Sequence, residues 1–135
     1  MNTTPIYELT PMIRMTKNLI YPEFSYKITG ILFKVHNKLG RYCKEKQYQD
    51  MIEEILKKEN IRFEREKKIP ISLEVGGNKV DFVIENKILL ECKAKPIFTK
   101  QDYYQVLRYL KASNIKLGLL VNFRNTYLRP KRILN

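Results

Sequence analysis

Asp81, Glu91 and Lys93 are residue types able to do metal-assisted chemistry on a phosphate, and their spacing brings them together. Lys79 to Ile84 and Ile88 to Ala94 both read as strands, joined by Glu85-Asn86-Lys87. In the first arm Val80, Phe82 and Ile84 share one face and Asp81 and Val83 the other; in the second, Leu89, Glu91 and Lys93 share a face. A three-residue loop sets Asp81 opposite Glu91, with Cβ atoms roughly 5 Å apart. Two facing carboxylates repel unless one is protonated or a cation lies between them. Mg²⁺ suits such a pair, because it takes one or two carboxylates, keeps several waters and completes its shell with phosphate oxygens. Lys93 would then sit beside the ion, where its ammonium can orient an attacking water or neutralise developing charge. The competing reading is a solvated strand face carrying a Glu-Lys pattern, since this spacing also arises by chance.

The elements that must position these residues are legible from periodicity. Residues 1–23 hold Pro5, Pro11 and Pro22 without a sustained period and read as an irregular arm; residues 24–135 read as a single domain. Ile28, Ile31, Leu32, Val35 and Leu39 form the stripe of a helix running from Phe24 and ended by Gly40. Tyr48, Met51, Ile52, Ile55 and Leu56 mark a second helix from about Lys44 to Asn60. Ile61 and Phe63 begin a short strand, and Ile69, Ile71, Leu73 and Val75 a cleaner one that ends at Gly76-Gly77-Asn78. After the hairpin, Thr99 and Asp102 form a capping box opening a helix to about Ser113, with Gln105 and Tyr109 four residues apart on one strip. Ile115 to Phe123 is almost wholly apolar, as a central strand covered on both faces would be.

Composition narrows the function further. The 135 residues carry a net charge of +12, and residues 93–135 hold ten of the 26 basic side chains with Asp102 as their single acid. Such a field concentrates polyanions, and phosphate backbones are the commonest partner, although solubility alone could account for the charge. Arg124, Arg129, Lys131 and Arg132 are the candidate contacts in the tail, with Tyr109 as a further candidate. Tyr103, Tyr104 and Tyr109 could stack on bases, but beside Val106 and Leu107 they also fit core packing. No apolar run approaches the ~18 residues of a membrane span and no secretory signal is visible, which leads to the expectation of a cytoplasmic protein without a membrane partner. Cys43 and Cys92 are too few and too far apart for a disulfide framework. His36 is the lone imidazole, so no zinc set can be assembled. Gly76-Gly77 is a turn rather than a phosphate loop, since no G-K-[ST] follows.

Asp81 followed by Glu91-Cys92-Lys93 resembles the PD-(D/E)-x-K signature of the restriction-endonuclease-like nucleases, whose core is a mixed sheet flanked by helices. More closely, VHNKLG, the Glu45 to Tyr48 spacing, FERE, VDFVIENKILLECKA, QVLRYLKASNIKLGLLVNF and KRILN resemble the GxxExxY family over roughly residues 26–135. The resemblance implies an α/β fold with a central mixed sheet and helices in αα-βββ-α-β order. It also implies Glu45 as a third acid at the metal, the Cys92 backbone carbonyl as a ligand, and Gln105 of a Q-x-x-x-Y pair as an assistant. The family's Gly falls at Tyr42, and Val80 stands where a Pro precedes the first motif acid. The expected activity is hydrolysis of nucleic acid, DNA ahead of RNA, with Mg²⁺ or Mn²⁺ as cofactor; a homodimer is left open. The alternative is a nucleic-acid-binding or assembly module that keeps the fold without turnover.

Overall fold

The computed structural model describes residues 20–70 and 79–135. Helix α1 (Pro22–Leu39) starts two residues earlier than its apolar stripe suggests, with Pro22 in its first turn, where the ring's fixed φ suits a helix and its missing N–H is not needed. It ends at Gly40, whose φ of 77° is left-handed and whose N–H donates to the His36 carbonyl at 2.8 Å. Helix α2 (Glu45–Lys58) follows after a short loop. Strands β1 (Phe63–Lys68), β2 (Lys79–Ile84) and β3 (Ile88–Lys93) come next, then helix α3 (Lys100–Ser113), strand β4 (Leu117–Asn122) and strand β5 (Lys131–Leu134). The strand expected around Ile71 to Val75 and the turn at Gly76 and Gly77 lie outside the described residues, as does the arm before residue 20.

The sheet runs in the order β1-β2-β3-β4-β5, antiparallel except for the parallel β3–β4 pair. A parallel neighbour needs a crossover, and α3 supplies it. Strand β5 has no signal in the sequence pattern: four residues of basic tail pair with β4 from Lys131↔Leu120 to Leu134↔Leu117. Ile133 is its buried residue, and a span so short gives too little alternation to read.

Helices α1 and α2 cover one face, packing Ile28, Leu32, Val35, Tyr48, Ile52 and Leu56 on Phe82, Ile84, Leu90, Cys92, Leu119 and Val121. Helix α3 covers the other with Val106, Tyr109 and Leu110 on Val80, Val83, Leu89, Leu120 and Ile133. Every residue of β4 is buried, as a strand between two helical layers requires. One expectation about faces fails here. Val80 belongs to the α3 side with Val83, not to the side of Phe82 and Ile84, so the alternation breaks at Asp81. Glu66, which lies between the pairs Arg65↔Phe82 and Lys67↔Val80, takes a left-handed φ of 54° at the same level. Among the described residues, no helix is long and apolar enough to cross a membrane.

Candidate active site

The break in β2 is where the two acids meet. The hairpin turn puts Glu85 and Asn86 in the left-handed region, with φ of 53° and 55°, and sets the register Ile84↔Ile88, Val83↔Leu89 and Phe82↔Leu90. Beyond Phe82 the carboxylates take over the ladder. The Asp81 N–H donates to Glu91 Oε1 at 2.8 Å, and the Cys92 N–H donates to Asp81 Oδ2 at 2.7 Å. Each acid thus holds the opposite strand with one oxygen, which leaves Asp81 Oδ1 and Glu91 Oε2 for chemistry.

Burial makes this arrangement costly for two negative charges. Glu91 is 4% exposed. Desolvation above all, with the Asp81 carboxylate and, more weakly, that of Glu45, pushes Glu91 up to about 8; backbone hydrogen bonding and Lys93 pull the other way. Desolvation, with Glu45 adding repulsion, pushes Asp81 up to about 6. The pair keeps a proton at neutral pH, mainly on Glu91, that ordinary carboxylates would have released.

Lys93 completes the cluster from β3. Its Nζ lies 3.9 Å from Glu91 Oε2 and 4.0 Å from Asp102 Oδ1, suspended between two acids. Asp102 sits in the first turn of α3, where its Oδ2 accepts the Thr99 N–H at 2.8 Å and the Lys95 ammonium at 2.6 Å. Its burial disfavours charge, but Lys95 and the Thr99 N–H outweigh that and hold its carboxyl below the usual range. Asn122, beside Lys93 in the β3–β4 register, brackets the Lys95 backbone: Oδ1 accepts its N–H at 3.1 Å and Nδ2 donates to its carbonyl at 2.7 Å. The sequence pattern gives Asp102 only a capping role and does not single out Lys95 or Asn122. The signals for two of them are Asp102's standing as the lone acid after residue 92 and Lys95's position one strand repeat beyond Lys93.

The other candidates fall into two groups. Glu45 opens α2 and is close enough for its charge to raise both Asp81 and Glu91. Arg65 of β1 ties that helix to the sheet, reaching Asp50 at 2.8 Å, Glu53 at 3.1 Å and Gln49 at 3.2 Å. Gln105 Nε2 donates to the Tyr109 hydroxyl at 3.0 Å. Tyr109 itself is 1% exposed, which leaves no ring face for a nucleobase; burial first, with Glu91 and Asp81 nearby, pushes its phenol up to about 12 and keeps it neutral. The Cys92 thiol points into the α1–α2 core, where desolvation first and the nearby acids second raise it well above an ordinary thiol, so its carbonyl is the one part that could serve a metal.

The tail also divides. The Arg132 guanidinium donates to Ser25 Oγ at 2.6 Å and to the Ile20 carbonyl at 2.8 Å, fastening β5 to the start of α1. Arg124 is partly engaged with the Arg41 and Ala94 carbonyls, Lys131 lies 5.2 Å from the Tyr103 ring, and Arg129 lines a shallow depression with Asn125, Thr126 and Tyr127. His36 is structural, its Nε2 2.9 Å from the Asn125 carbonyl and its ring tilted against Phe123.

Among the described residues, no three acids, imidazoles or thiols are already gathered into a metal cage. Two converging carboxylates still fit Mg²⁺ or Mn²⁺, ions that bind through one or two carboxylates and leave the rest of the shell to water and phosphate. Asp81 Oδ1 and Glu91 Oε2 are not used in the hydrogen bonds to the opposite strand, and the desolvation and mutual repulsion that raise both acids are what a cation between them would offset. No curated protein and no solved structure matches the chain significantly. A family model described as the PD-(D/E)XK nuclease superfamily matches residues 22–133. With that match spanning α1 to β5, and with the acid, acid and lysine converging at the break in the β2–β3 ladder, the chain belongs to the PD-(D/E)XK nuclease superfamily.

Proposed function

We propose that this protein is a metal-dependent nuclease of the GxxExxY branch that hydrolyses phosphodiester bonds, with DNA as the first substrate to test and RNA as the second. The observation that carries the reading is the pairing of half-buried Asp81 with buried Glu91 across the two strands, with Lys93 Nζ 3.9 Å from Glu91 Oε2. Ionised Asp81 and Glu91, with Glu45 and the Cys92 carbonyl, would hold Mg²⁺ or Mn²⁺. Bound there, the ion would polarise the scissile phosphate and make a nearby water more acidic.

The chain's own groups do the rest. Lys93 places a positive charge beside Glu91, where it orients the attacking water and balances the charge that builds on the phosphate. Asp102, itself paired with Lys95, draws that ammonium toward the N-terminus of α3. Gln105, braced by the Tyr109 hydroxyl, assists from the same helix. The hydrophobic layers on both sides keep Glu91 buried and so strengthen the interactions that it makes.

Supercoiled, linear and single-stranded DNA and single-stranded RNA, each incubated with Mg²⁺ or Mn²⁺, provide the test. Wild type should cleave at least one of them, and Lys93→Ala purified in parallel should not. If wild type cleaves none with either ion yet binds nucleic acid, a binding module that keeps the fold replaces the nuclease reading.

A further inference from the structure

The loop between α1 and α2 carries a feature that the hydrolytic site does not use. Tyr42 stands in it, 75% exposed, with two guanidiniums over its ring: Arg41 Cζ lies 4.8 Å from the ring centroid and Arg124 Cζ 5.6 Å. Single exposed aromatics are ordinary on protein surfaces. This one differs in being held in place. Arg41 Nε donates to the Arg124 carbonyl at 2.7 Å and Arg124 Nε donates back to the Arg41 carbonyl at 3.1 Å. Arg41 Nη1 also donates to the Tyr42 hydroxyl at 2.8 Å. The two ends of the loop are fastened through Tyr48, whose hydroxyl donates to the Gly40 carbonyl and accepts the Cys43 N–H, while its ring stacks on Phe123 at 4.2 Å.

The position of this platform ties it to the acids. Arg124 Nη2 reaches the carbonyl of Ala94, the residue after Lys93, at 3.4 Å, and the Phe123 N–H donates to the Lys93 carbonyl at 2.8 Å. Glu45 follows Tyr42 by three residues at the start of α2. An exposed aromatic ring backed by cations, one of which reaches the residue after Lys93, combines the two features of single-strand recognition: a surface on which any base can stack and charge for the adjoining phosphate. A loop already ordered by its own hydrogen bonds loses little further freedom when a base lands on it.

Resting on the nuclease reading above, we infer that the Tyr42 ring, with Arg41 and Arg124, is a stacking platform for an unpaired nucleobase next to the scissile phosphate, so the substrate is single-stranded or has a single-stranded segment at the site. Inside a duplex both faces of every base are covered by the neighbouring pairs, so a continuous duplex offers no such free face. Arg41 and Arg124 would grip the phosphate that joins the stacked nucleotide to its neighbour.

Fluorescence anisotropy with a short labelled DNA single strand, in Ca²⁺ to suppress cleavage, tests this. Tyr42→Ala should weaken single-strand binding by about tenfold, the scale of one missing base–aromatic stack. Tyr42→Phe, which keeps the ring, should retain most of the affinity, and a covalently closed circular duplex, which has no ends to stack, should bind both variants as it binds wild type. The wild-type protein supplies an arm free of folding effects. An abasic residue moved along the strand should weaken binding at one position, and Tyr42→Ala should be indifferent to it there. Equal loss for single strand and duplex, or wild-type affinity in Tyr42→Ala, overturns the platform while leaving nuclease activity standing. Wild type that neither binds nor cleaves any nucleic acid overturns the nuclease reading and the platform with it.

Discussion

At the residue scale the site is a balance of charges that burial makes expensive. Lys93→Ala removes the cation that matters most as charge builds on the phosphate, so kcat should fall a hundredfold or more while nucleic-acid binding changes little; single-turnover cleavage and anisotropy measure the two separately. Asp81→Asn should act on metal affinity and rate together, and raised Mn²⁺ should recover part of the loss in a metal titration. The raised carboxylates also predict a pH dependence of stability. With folded pKa values of about 6 at Asp81 and about 8 at Glu91, the metal-free native state binds more protons than the unfolded chain above the ordinary carboxylate range. Stability therefore falls as pH rises through those values, the opposite of the usual buried ion pair. The thermal midpoint of metal-free protein should drop between about pH 5 and 8. Mg²⁺ should restore it most at the alkaline end, and Glu91→Gln should flatten both trends, as followed by calorimetry.

At the element scale, the site depends on how closely α3 approaches the sheet. Gly118 of β4 lies under that helix: a Cβ there would come 2.7 Å from Val106 Cγ1 and 3.3 Å from Leu110 Cδ1. Valine is stiff about χ1, so the helix rather than the side chain must give way. Gly118→Ala should cost about 1–3 kcal/mol in denaturant unfolding, as overpacked cores do. It should also lower activity, because Asp102 and Gln105 ride on α3. Helices α1, α2 and α3 and strand β4 are legible in the sequence because each carries a sustained apolar period, and the Thr99–Asp102 box is legible because capping is local. The switched face of Val80 is not, since it arises where carboxylates displace backbone groups in the ladder, an event between strands that one strand's pattern does not encode.

For the whole molecule, a net charge of +12 predicts nucleic-acid binding that weakens steeply between about 50 and 200 mM salt. Which cations contribute is decided by the fold. Replacing Arg129 or Lys131 with Ser should flatten the salt dependence by about 0.9 for each duplex phosphate left without its cation. Arg132→Ala should leave that slope unchanged and instead lower the thermal midpoint, because its guanidinium fastens β5 to Ser25 and Ile20. Anisotropy across a salt series, alongside thermal unfolding, distinguishes the two effects.

The helical layers, the hairpin register that brings Asp81 to Glu91, and the approach of Lys93 are all written along the chain, because they follow from periods of 3.6 and 2 and from a turn of known length. The family resemblance is written there too, since the acid, acid and lysine lie close together in the chain. Folding in three dimensions adds that Lys93 is shared with Asp102, that Asn122 holds Lys95, that Tyr109 is buried, and that Arg124 meets Arg41 and Tyr42. Those pairings join residues on separate elements, and a pattern read along the chain cannot say which side chains packing will bring within a hydrogen bond of one another.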